Sequence, residues 1–286
     1  HLLEGKMTGN VVVSGLNTAD HPCYELAQHV GMVFQDPEVQ LFSLTVEDEV
    51  AMALENIATP SREIAKRVDW ALDITGITDL RKRTPMDLSG GQKQRVATAA
   101  TLTRTPEVLI FDEPTAYLDN IGTISVLSVI KDLCVRGGIT MILVEHKVEH
   151  TMPFADRVIV MSEGKIVVDG PPVEVLGEAE GIKQLGIRLP TASEISLELA
   201  RRGVRLNKAP LKMEELVNSL KSMNVSIEPR RTLEVESTKE RIAGKTVVSA
   251  EDLYFSYPGG QPALKDINLK INEGEFLALV GSNGAG

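Results

Sequence analysis

The sequence predicts an α/β fold, and three observations indicate it. Residues 107–113 (EVLIFDE) form a short apolar run ending in two carboxylates, which is typical of a buried strand. Residues 88–95 (LSGGQKQR) place two glycines directly after a serine that can cap a helix. Residues 275–280 (EFLALV) form a second apolar run, which leads into the glycine-rich stretch GSNGAG. Strands, a capped helix and glycine-rich loops of this kind belong together in α/β proteins.

Composition and charge exclude several classes of protein. The 286 residues are enough for about two domains, and 43% hydrophobic with 24% charged residues is typical of a globular chain. The apolar runs fall far short of the roughly 18 residues of a membrane span, and the first ten residues contain no signal-peptide core. A net charge of -10 argues against a protein that coats nucleic acid. The two cysteines, Cys23 and Cys134, match no metal or disulfide spacing, which excludes an iron–sulfur protein and favours a reducing cytosol.

Asp112 and Glu113 end the strand predicted over residues 107–113. At the carboxyl edge of a parallel sheet, such a pair faces the crevice in which α/β proteins bind ligands. The first carboxylate can hold Mg²⁺ and the second can polarise an attacking water. A strand that runs into an acidic helix cap is the alternative, and this pattern alone leaves it open.

Ser89 is predicted to cap the helix that follows it, while Gly90 and Gly91 let the backbone approach a ligand. The amides at the start of that helix would then point at an anion. An ordinary serine-capped helix is the alternative. The position of the string, which ends about twelve residues before the strand carrying Asp112, argues against that alternative.

The C-terminal stretch predicts three strands separated by turns. Residues 246–257 and 263–271 alternate as strands, with turns at 258–260 and 272–274, and residues 275–280 form the third strand. A strand followed by G-x-x-x-x-G opens a phosphate-binding loop. The residues of that loop are Gly281, Ser282, Asn283, Gly284, Ala285 and Gly286. They lack the Lys and Ser/Thr of a complete motif, so a plain glycine turn remains the alternative.

Together these segments resemble an ABC-type ATPase. The string beginning at Leu88 resembles that family's signature motif, and residues 108–113 resemble its Walker B, with Glu113 as the catalytic glutamate. Gln35 in VFQDP resembles the Q-loop glutamine, Asp119 in AYLD the D-loop aspartate, and His146 in VEH the switch histidine. The resemblance implies a P-loop NTPase of ABC ATPase type, an α/β fold with a mixed sheet, a helical signature subdomain and a small C-terminal extension.

The resemblance also implies ATP with Mg²⁺ as the cofactor. Glu113 would be the general base or water-positioning group, His146 would contact the γ-phosphate, and Asp112 and Gln35 would hold the Mg²⁺. Tyr257 resembles the A-loop aromatic that stacks on adenine, and residues 281–286 resemble the first part of Walker A. The residues expected to bind the nucleotide are therefore Ser89, Gly90, Gly91, Gln92, Asp119, Tyr257, Gly281, Ser282, Asn283, Gly284, Ala285 and Gly286.

The order of the motifs predicts a tandem protein. In an ABC domain Walker A precedes the Q-loop, whereas here the Walker A-like residues follow all the other motifs. We expect a first nucleotide-binding domain at residues 1–170 without its Walker A, a helical extension at 171–220, a linker at 221–245, and the start of a second domain at 246–286. Such domains pair head to tail, so the Ser89 turn would act on ATP held by residues 281–286, and neither site is complete within this stretch. A circular permutation is the alternative, which the missing Lys and Ser/Thr disfavour.

Two segments resemble the energy-coupling-factor branch, which drives vitamin, cobalt and nickel uptake. One follows Gln35 and includes Phe42, and there the branch contacts a membrane scaffold; an amphipathic helix packed on the core is the alternative. The other is the extension, which comes after a hairpin predicted over residues 157–169 with its turn at Glu163 and Gly164. In the extension, Thr191 and Glu194 predict a capping box for a helix ending near Arg202, followed by a helix over residues 213–220.

The resemblance to this branch implies partners and a location. The partners would be an integral-membrane scaffold protein, a substrate-binding membrane component and a paired ABC domain in the same or another chain, with no nucleic acid. The chain would lie at the cytoplasmic face of the cell membrane. A soluble tandem ABC ATPase acting on ribosomes is the alternative, because residues 201–245 carry 11 Lys and Arg against 6 Glu. Repeated prolines and a glycine in that stretch disfavour the long helical hairpin such proteins carry. A DNA-repair ABC ATPase is disfavoured because no heptad run precedes Leu88.

Overall fold

The computed structural model describes residues 7–223, 245–256, 262–275 and 277–279. It divides into two compact units, His1–Met223 and Asn224–Gly286. No helix in these described ranges combines the length and the apolar character that a membrane span requires.

The first unit alternates strands and helices. Its strands are β1 (Val12–Val13), β2 (Leu16–Asn17), β3 (Val30–Val33), β4 (Val108–Asp112), β5 (Thr140–Val144), β6 (Val158–Ser162) and β7 (Lys165–Gly170). Its helices are α1 (Cys23–Leu26), α2 (Val46–Glu55), α3 (Ser61–Ile74), α4 (Gly90–Leu102), α5 (Asn120–Gly137), α6 (Val148–Thr151), α7 (Pro172–Val175), α8 (Ala179–Gln184), α9 (Thr191–Arg201) and α10 (Met213–Ser222). Short 3₁₀ helices lie at Pro37–Gln40, Thr78–Leu80, Pro85–Asp87, Met152–Phe154 and Leu176–Glu178.

A three-stranded parallel sheet positions the carboxylates. Its order is β3–β4–β5, and Asp112 at the end of β4 lies beside Val144 at the end of β5. In β4, Leu109 and Phe111 are fully buried and alternate with less buried neighbours, which is the pattern of a strand packed on helices. The strand predicted over residues 107–113 is therefore confirmed, and its carboxyl end lies at the sheet edge.

A first apolar cluster joins this sheet to α2, α3, α4 and α5. Helix α2 buries Val46, Val50 and Leu54, which lie four residues apart and so share one face. Thr45 caps this helix, because its Oγ1 accepts a hydrogen bond from the N–H of Asp48 at 3.2 Å. This helical layer therefore rests on the sheet through a continuous core.

A second apolar cluster joins the hairpin β6–β7 to the helices that follow it. Val160 from β6 packs there with residues of α7, α8 and the segment before α9. The hairpin turns at Glu163 and Gly164, which have φ angles of 49° and 74°, and two such residues are typical of a tight hairpin turn. The hairpin predicted from the sequence is confirmed.

The capping box predicted at Thr191 and Glu194 is wrong. Thr191 is the first residue of α9, the residue before it is Pro190, and the structure shows no side-chain cap at that position. The hydroxyl of Thr191 donates instead to the carboxylate of Glu149, and Glu194 pairs with Lys183 at 3.7 Å. A contact from a distant residue has replaced the local one, while the predicted end of the helix at Arg202 is matched within one residue.

The second unit contains an antiparallel pair, β8 (Thr246–Ser256) and β9 (Pro262–Asn272). Both strands agree with the prediction from the sequence. The third predicted strand, over residues 275–280, is wrong in its described part, because residues 275 and 277–279 are not in a strand. A strand needs a hydrogen-bonded neighbour. The described sheet in this unit has only two strands, and the side chain of Leu279 is 84% exposed.

Candidate functional site

The end of β4 places two consecutive carboxylates at the edge of the parallel sheet. Asp112 is its last residue and is half-buried. Glu113 leaves the strand with a φ of 44°, a left-handed conformation that is uncommon outside glycine. Its N–H donates to the carbonyl oxygen of Val144 at 2.9 Å, which holds the turn against β5. Backbone strain at such a position is characteristic of functional sites.

Glu113 is the centre of a three-residue contact. Nε2 of His146 lies 2.7 Å from one of its carboxylate oxygens, and Nε2 of Gln35 donates to the other at 3.2 Å. Gln35 follows β3, Glu113 follows β4 and His146 follows β5, so the parallel order brings all three to one edge. The Glu113 side chain is 24% exposed and that of His146 is 80% exposed. An oriented carboxylate beside an accessible imidazole can exchange protons with a bound water or phosphate.

The four residues Asp112, Glu113, Gln35 and His146 thus lie together, as their resemblance to the family motifs implies. Asp112 and Gln35 offer a carboxylate and an amide oxygen, the hard ligands that Mg²⁺ prefers. The described residues contain no group of three or more His, Cys, Asp and Glu able to hold a metal. This donor set suits a magnesium ion that takes its remaining ligands from phosphate and water.

Ser89, Gly90, Gly91 and Gln92 form the first turn of α4. Oγ of Ser89 accepts from the N–H of Gln92 at 3.4 Å, and Oε1 of Gln92 accepts from the N–H of Ser89 at 3.0 Å, which completes a capping box. The cap predicted at Ser89 is confirmed. A Cβ added to Gly90 would come within 3.3 Å of Leu118, so the glycine permits close packing against the loop after Glu113.

Asp119 begins α5. Its Oδ1 accepts a hydrogen bond from the N–H of Gly122 at 2.7 Å, so the side chain caps the helix. The neighbouring Tyr117 is 66% exposed. The other residues predicted to bind nucleotide, Tyr257 and Gly281, Ser282, Asn283, Gly284, Ala285 and Gly286, lie outside the described residues.

Two residues beside His146 hold the loop that follows Glu113, and the sequence prediction missed both. Nζ of Lys147 donates to the carbonyl oxygens of Thr115 at 2.7 Å and Leu118 at 3.2 Å, and to Oγ1 of Thr123 at 3.1 Å. The carboxylate of Glu145 accepts from the hydroxyl of Thr115 and from the N–H of His146. Two opposite charges flanking the predicted histidine were the available signal in the sequence.

The opposite end of β4 carries a polar contact of another kind. The carboxylate of Glu107 lies 2.8 Å from Nδ1 of His29 and accepts from Oγ of Ser14 at 2.8 Å. The hydrogen bond with His29, and then the one from Ser14, hold the pKa of the Glu107 carboxyl below its usual range. This contact is separated from Glu113 by the length of the strand, so Glu107 offers a matched position for comparison.

Known proteins resemble this chain along its whole length. A family model described as ABC transporter matches residues 2–116. A protein of Caldanaerobacter subterraneus subsp. tengcongensis named as an ABC transporter ATP-binding protein is 38% identical over 291 residues, covering 100% of the chain and 50% of that protein. A similarly named protein of Pyrococcus abyssi is 44% identical over 217 residues, covering 76% of the chain and 77% of that protein. The chain spans about half the length of the first of these relatives.

A relative with a more specific name is the energy-coupling factor transporter ATP-binding protein EcfA1 of Caldanaerobacter subterraneus subsp. tengcongensis. It is 43% identical over 210 residues, covering 73% of the chain and 76% of that protein. Among solved structures, cbiO1 from Clostridium perfringens, described as part of the ABC transporter complex cbiONQ, is similar with a TM-score of 0.53 and 39% identity, covering 63% of this chain and 68% of that one. A dimeric ATP-binding cassette bound to ADP and phosphate is similar with a TM-score of 0.51 and 28% identity, covering 58% of this chain and 74% of that one. The chain has the P-loop ABC ATPase fold and belongs to the ABC transporter ATP-binding family, a class of ATP-hydrolysing enzymes that bind ATP with Mg²⁺.

Proposed function

We propose that this chain belongs to the ATP-hydrolysing component of an energy-coupling-factor-type membrane importer for a vitamin or a transition metal. The observation that carries the proposal is the contact of both Gln35 and His146 with the Glu113 carboxylate. The similarity to EcfA1 and to cbiO1 supports this branch of the family.

Glu113 is the general base in this proposal. As the oxygen of the attacking water bonds to the γ-phosphorus, Glu113 takes its proton, and the bond to the β–γ bridging oxygen breaks to release ADP and phosphate. Gln35 holds one oxygen of the carboxylate in position. The ring of His146 is 80% exposed, so it has room to turn from Glu113 toward a γ-phosphate and stabilise its charge.

Asp112 and Gln35 would hold Mg²⁺ at the edge of the sheet. When bound there, the ion would supply positive charge that neutralises the phosphate oxygens. Asp112 is half-buried at the end of β4, so its carboxylate is partly shielded and directed by the sheet. Asp112 ends β4 and Gln35 follows β3, and these two strands are neighbours in the parallel sheet.

The remaining nucleotide contacts belong to a proposed tandem arrangement. Residues 1–170 and 246–286 would belong to two nucleotide-binding domains, joined by an extension at 171–220 and a linker at 221–245. The Ser89 turn would cover ATP bound by residues 281–286, with Tyr257 stacked on adenine and Asp119 at the same interface. The motif order and the match to about half of a longer relative support this arrangement.

An exposed apolar surface beside Gln35 supports a membrane partner. Val39, Phe42 and Leu44 are 68%, 69% and 85% exposed, although side chains of this kind are usually buried. The backbone at Phe42 is held in place, because Oε2 of the buried Glu49 accepts the N–H of Phe42 at 2.8 Å. We assign this surface to an integral-membrane scaffold protein, which joins a substrate-binding membrane component and places the chain at the cytoplasmic face of the membrane.

Steady-state hydrolysis by the full-length protein tests the catalytic part of the proposal. Glu113→Gln keeps the side-chain shape but removes the base, so we expect turnover to fall by about 10²–10⁴. Glu107→Gln is the matched control at the other end of β4, and its turnover should be normal. Near-normal hydrolysis by Glu113→Gln would contradict the assignment.

Co-purification tests the membrane partner. The full-length protein is expressed together with a candidate scaffold, a polytopic membrane protein from the same source, and Phe42→Ser should lose most of the bound partner because its apolar contact is removed. Tyr24→Ser is the control, since Tyr24 is an aromatic residue with the same 69% exposure on α1. Equal retention of the partner by both variants would contradict the proposed surface.

A further inference from the structure

His146 lies where the chain passes from one apolar cluster to the other. Before it, Leu143 of β5 packs against the first cluster, together with the core of the parallel sheet. After it, Val148 of α6 and the buried Met152 pack in the second cluster, which also contains Leu189 and Leu197 of the C-terminal extension. The histidine therefore lies between the two apolar clusters, and a shift of one cluster relative to the other would move its ring.

A second contact ties the extension to residues 145–149, the segment that carries His146 and is called the histidine segment below. One carboxylate oxygen of Glu149 accepts the N–H of Thr191 at 2.5 Å and its hydroxyl at 2.9 Å, across 42 residues of sequence. Thr191 begins α9, and the preceding Pro190 gives the helix no side-chain cap. A carboxylate at this position satisfies an otherwise unpaired amide and interacts favourably with the helix dipole.

The other side of the segment is held to the catalytic loop. Glu145 accepts from the hydroxyl of Thr115, and Lys147 donates to the carbonyl oxygens of Thr115 and Leu118. Glu145 and Lys147 flank His146 on both sides, while Glu149 lies three residues beyond it. The histidine segment is therefore fixed to the loop after Glu113 at one end and to α9 at the other.

We propose that Glu149 is a positioning residue through which the C-terminal extension sets the contact between His146 and Glu113. With the Glu149–Thr191 contact formed, α9 and α6 move together, and the ring of His146 is held beside the catalytic carboxylate. When the contact is lost, α6 is released from α9 and His146 loses its fixed position. The inference rests on the proposed function, because it requires Glu113 and His146 to act on ATP.

The test measures kcat for ATP hydrolysis and the dissociation constant for ATP in the full-length protein. Glu149→Ala should lower kcat by about fivefold, a modest coupling between sites, and leave ATP binding unchanged. Thr191→Val should lower kcat less, because the N–H of residue 191 remains, and Thr191→Ser should behave normally. Arg201→Gln is the control, because it removes the 3.0 Å pair with Glu180 at the other end of α9 without touching the histidine segment.

A normal kcat for Glu149→Ala would overturn the inference, and so would an equal fall in Arg201→Gln, which would indicate a general loss of order in the extension. Glu113→Gln in the same experiment distinguishes a failure of the positioning role from a failure of the proposed function. If Glu113→Gln is inactive while Glu149→Ala has normal kcat, only the positioning role fails. If Glu113→Gln hydrolyses ATP normally, the proposed function fails and the inference fails with it.

Discussion

Replacing Lys147 with methionine should destabilise the loop that follows the catalytic carboxylate. The ammonium donates three hydrogen bonds, to the carbonyl oxygens of Thr115 and Leu118 and to the hydroxyl oxygen of Thr123. Methionine is similar in length but has no donor, so all three bonds are lost. Thr115 and Thr123 are 0% and 1% exposed, so water has little access to replace the ammonium there.

The expected cost follows from these contacts. A typical intramolecular hydrogen bond contributes about 1 kcal/mol net, so the three bonds at 2.7, 3.2 and 3.1 Å lead us to expect a loss of about 3 kcal/mol. In a domain of about 200 residues, 1 kcal/mol shifts the melting temperature by about 2–4 °C. We therefore expect Lys147→Met to lower Tm by about 6–12 °C.

Thermal unfolding followed by circular dichroism measures this change. Lys131→Met is the matched control, because Lys131 lies on the exposed face of α5, and surface substitutions usually change stability by less than about 0.5 kcal/mol. A fall in Tm for Lys147→Met no larger than that of the control would refute the inferred role of the ammonium.

Two further predictions concern stability. Hydrogen bonds, chiefly from Lys82, lower the pKa of the Glu47 carboxyl in the folded protein. The ionised carboxylate therefore raises the free energy of unfolding above the unfolded pKa of about 4.3, and this stabilisation is lost as the pH falls through the lower folded pKa. Glu47→Gln should therefore reduce Tm slightly at pH 7 and leave it unchanged in strong acid, and an equal reduction at both pH values would contradict the ionic explanation. Gly31→Ala should cost about 1–3 kcal/mol by overpacking, because the added Cβ would lie 2.8 Å from Leu109. Gly177→Ala, where the Cβ would meet nothing within 4 Å, is the control in urea unfolding, and equal midpoints would refute the overpacking.

Local patterns were predictable where the atoms involved are close in sequence. The cap at Ser89 depends on a partner three residues away, and the hairpin turn depends on two adjacent residues. A stretch of four or five residues therefore contains all the groups that form each feature. The same Ser/Thr-x-x-Glu/Gln pattern failed at Thr191, because the carboxylate of Glu149, 42 residues away, accepts the N–H of Thr191 that the side chain of Glu194 would accept in a capping box. A short sequence pattern carries no information about a contact from such a distant residue.

The site shows the same division between local and tertiary information. Family motifs pointed to Gln35, Glu113 and His146 individually, and the parallel strand order brings them together. Lys147 was missed because its role depends on where three oxygen atoms of another segment lie, which only the folded loop determines. The apolar run at 275–280 predicted a strand, but an apolar pattern does not specify whether a neighbouring strand is present.

The most direct test of the central claim is to identify the nucleotide retained by the Glu113→Gln variant of the full-length protein. The variant is incubated with radiolabelled ATP and Mg²⁺, separated rapidly from free nucleotide, and the bound nucleotide is resolved by chromatography. If Glu113 is the base, the retained nucleotide should be unhydrolysed ATP, whereas the Glu107→Gln control should retain ADP or none. If Glu113→Gln converts bound ATP to ADP as fast as the unmodified protein does, the account is contradicted.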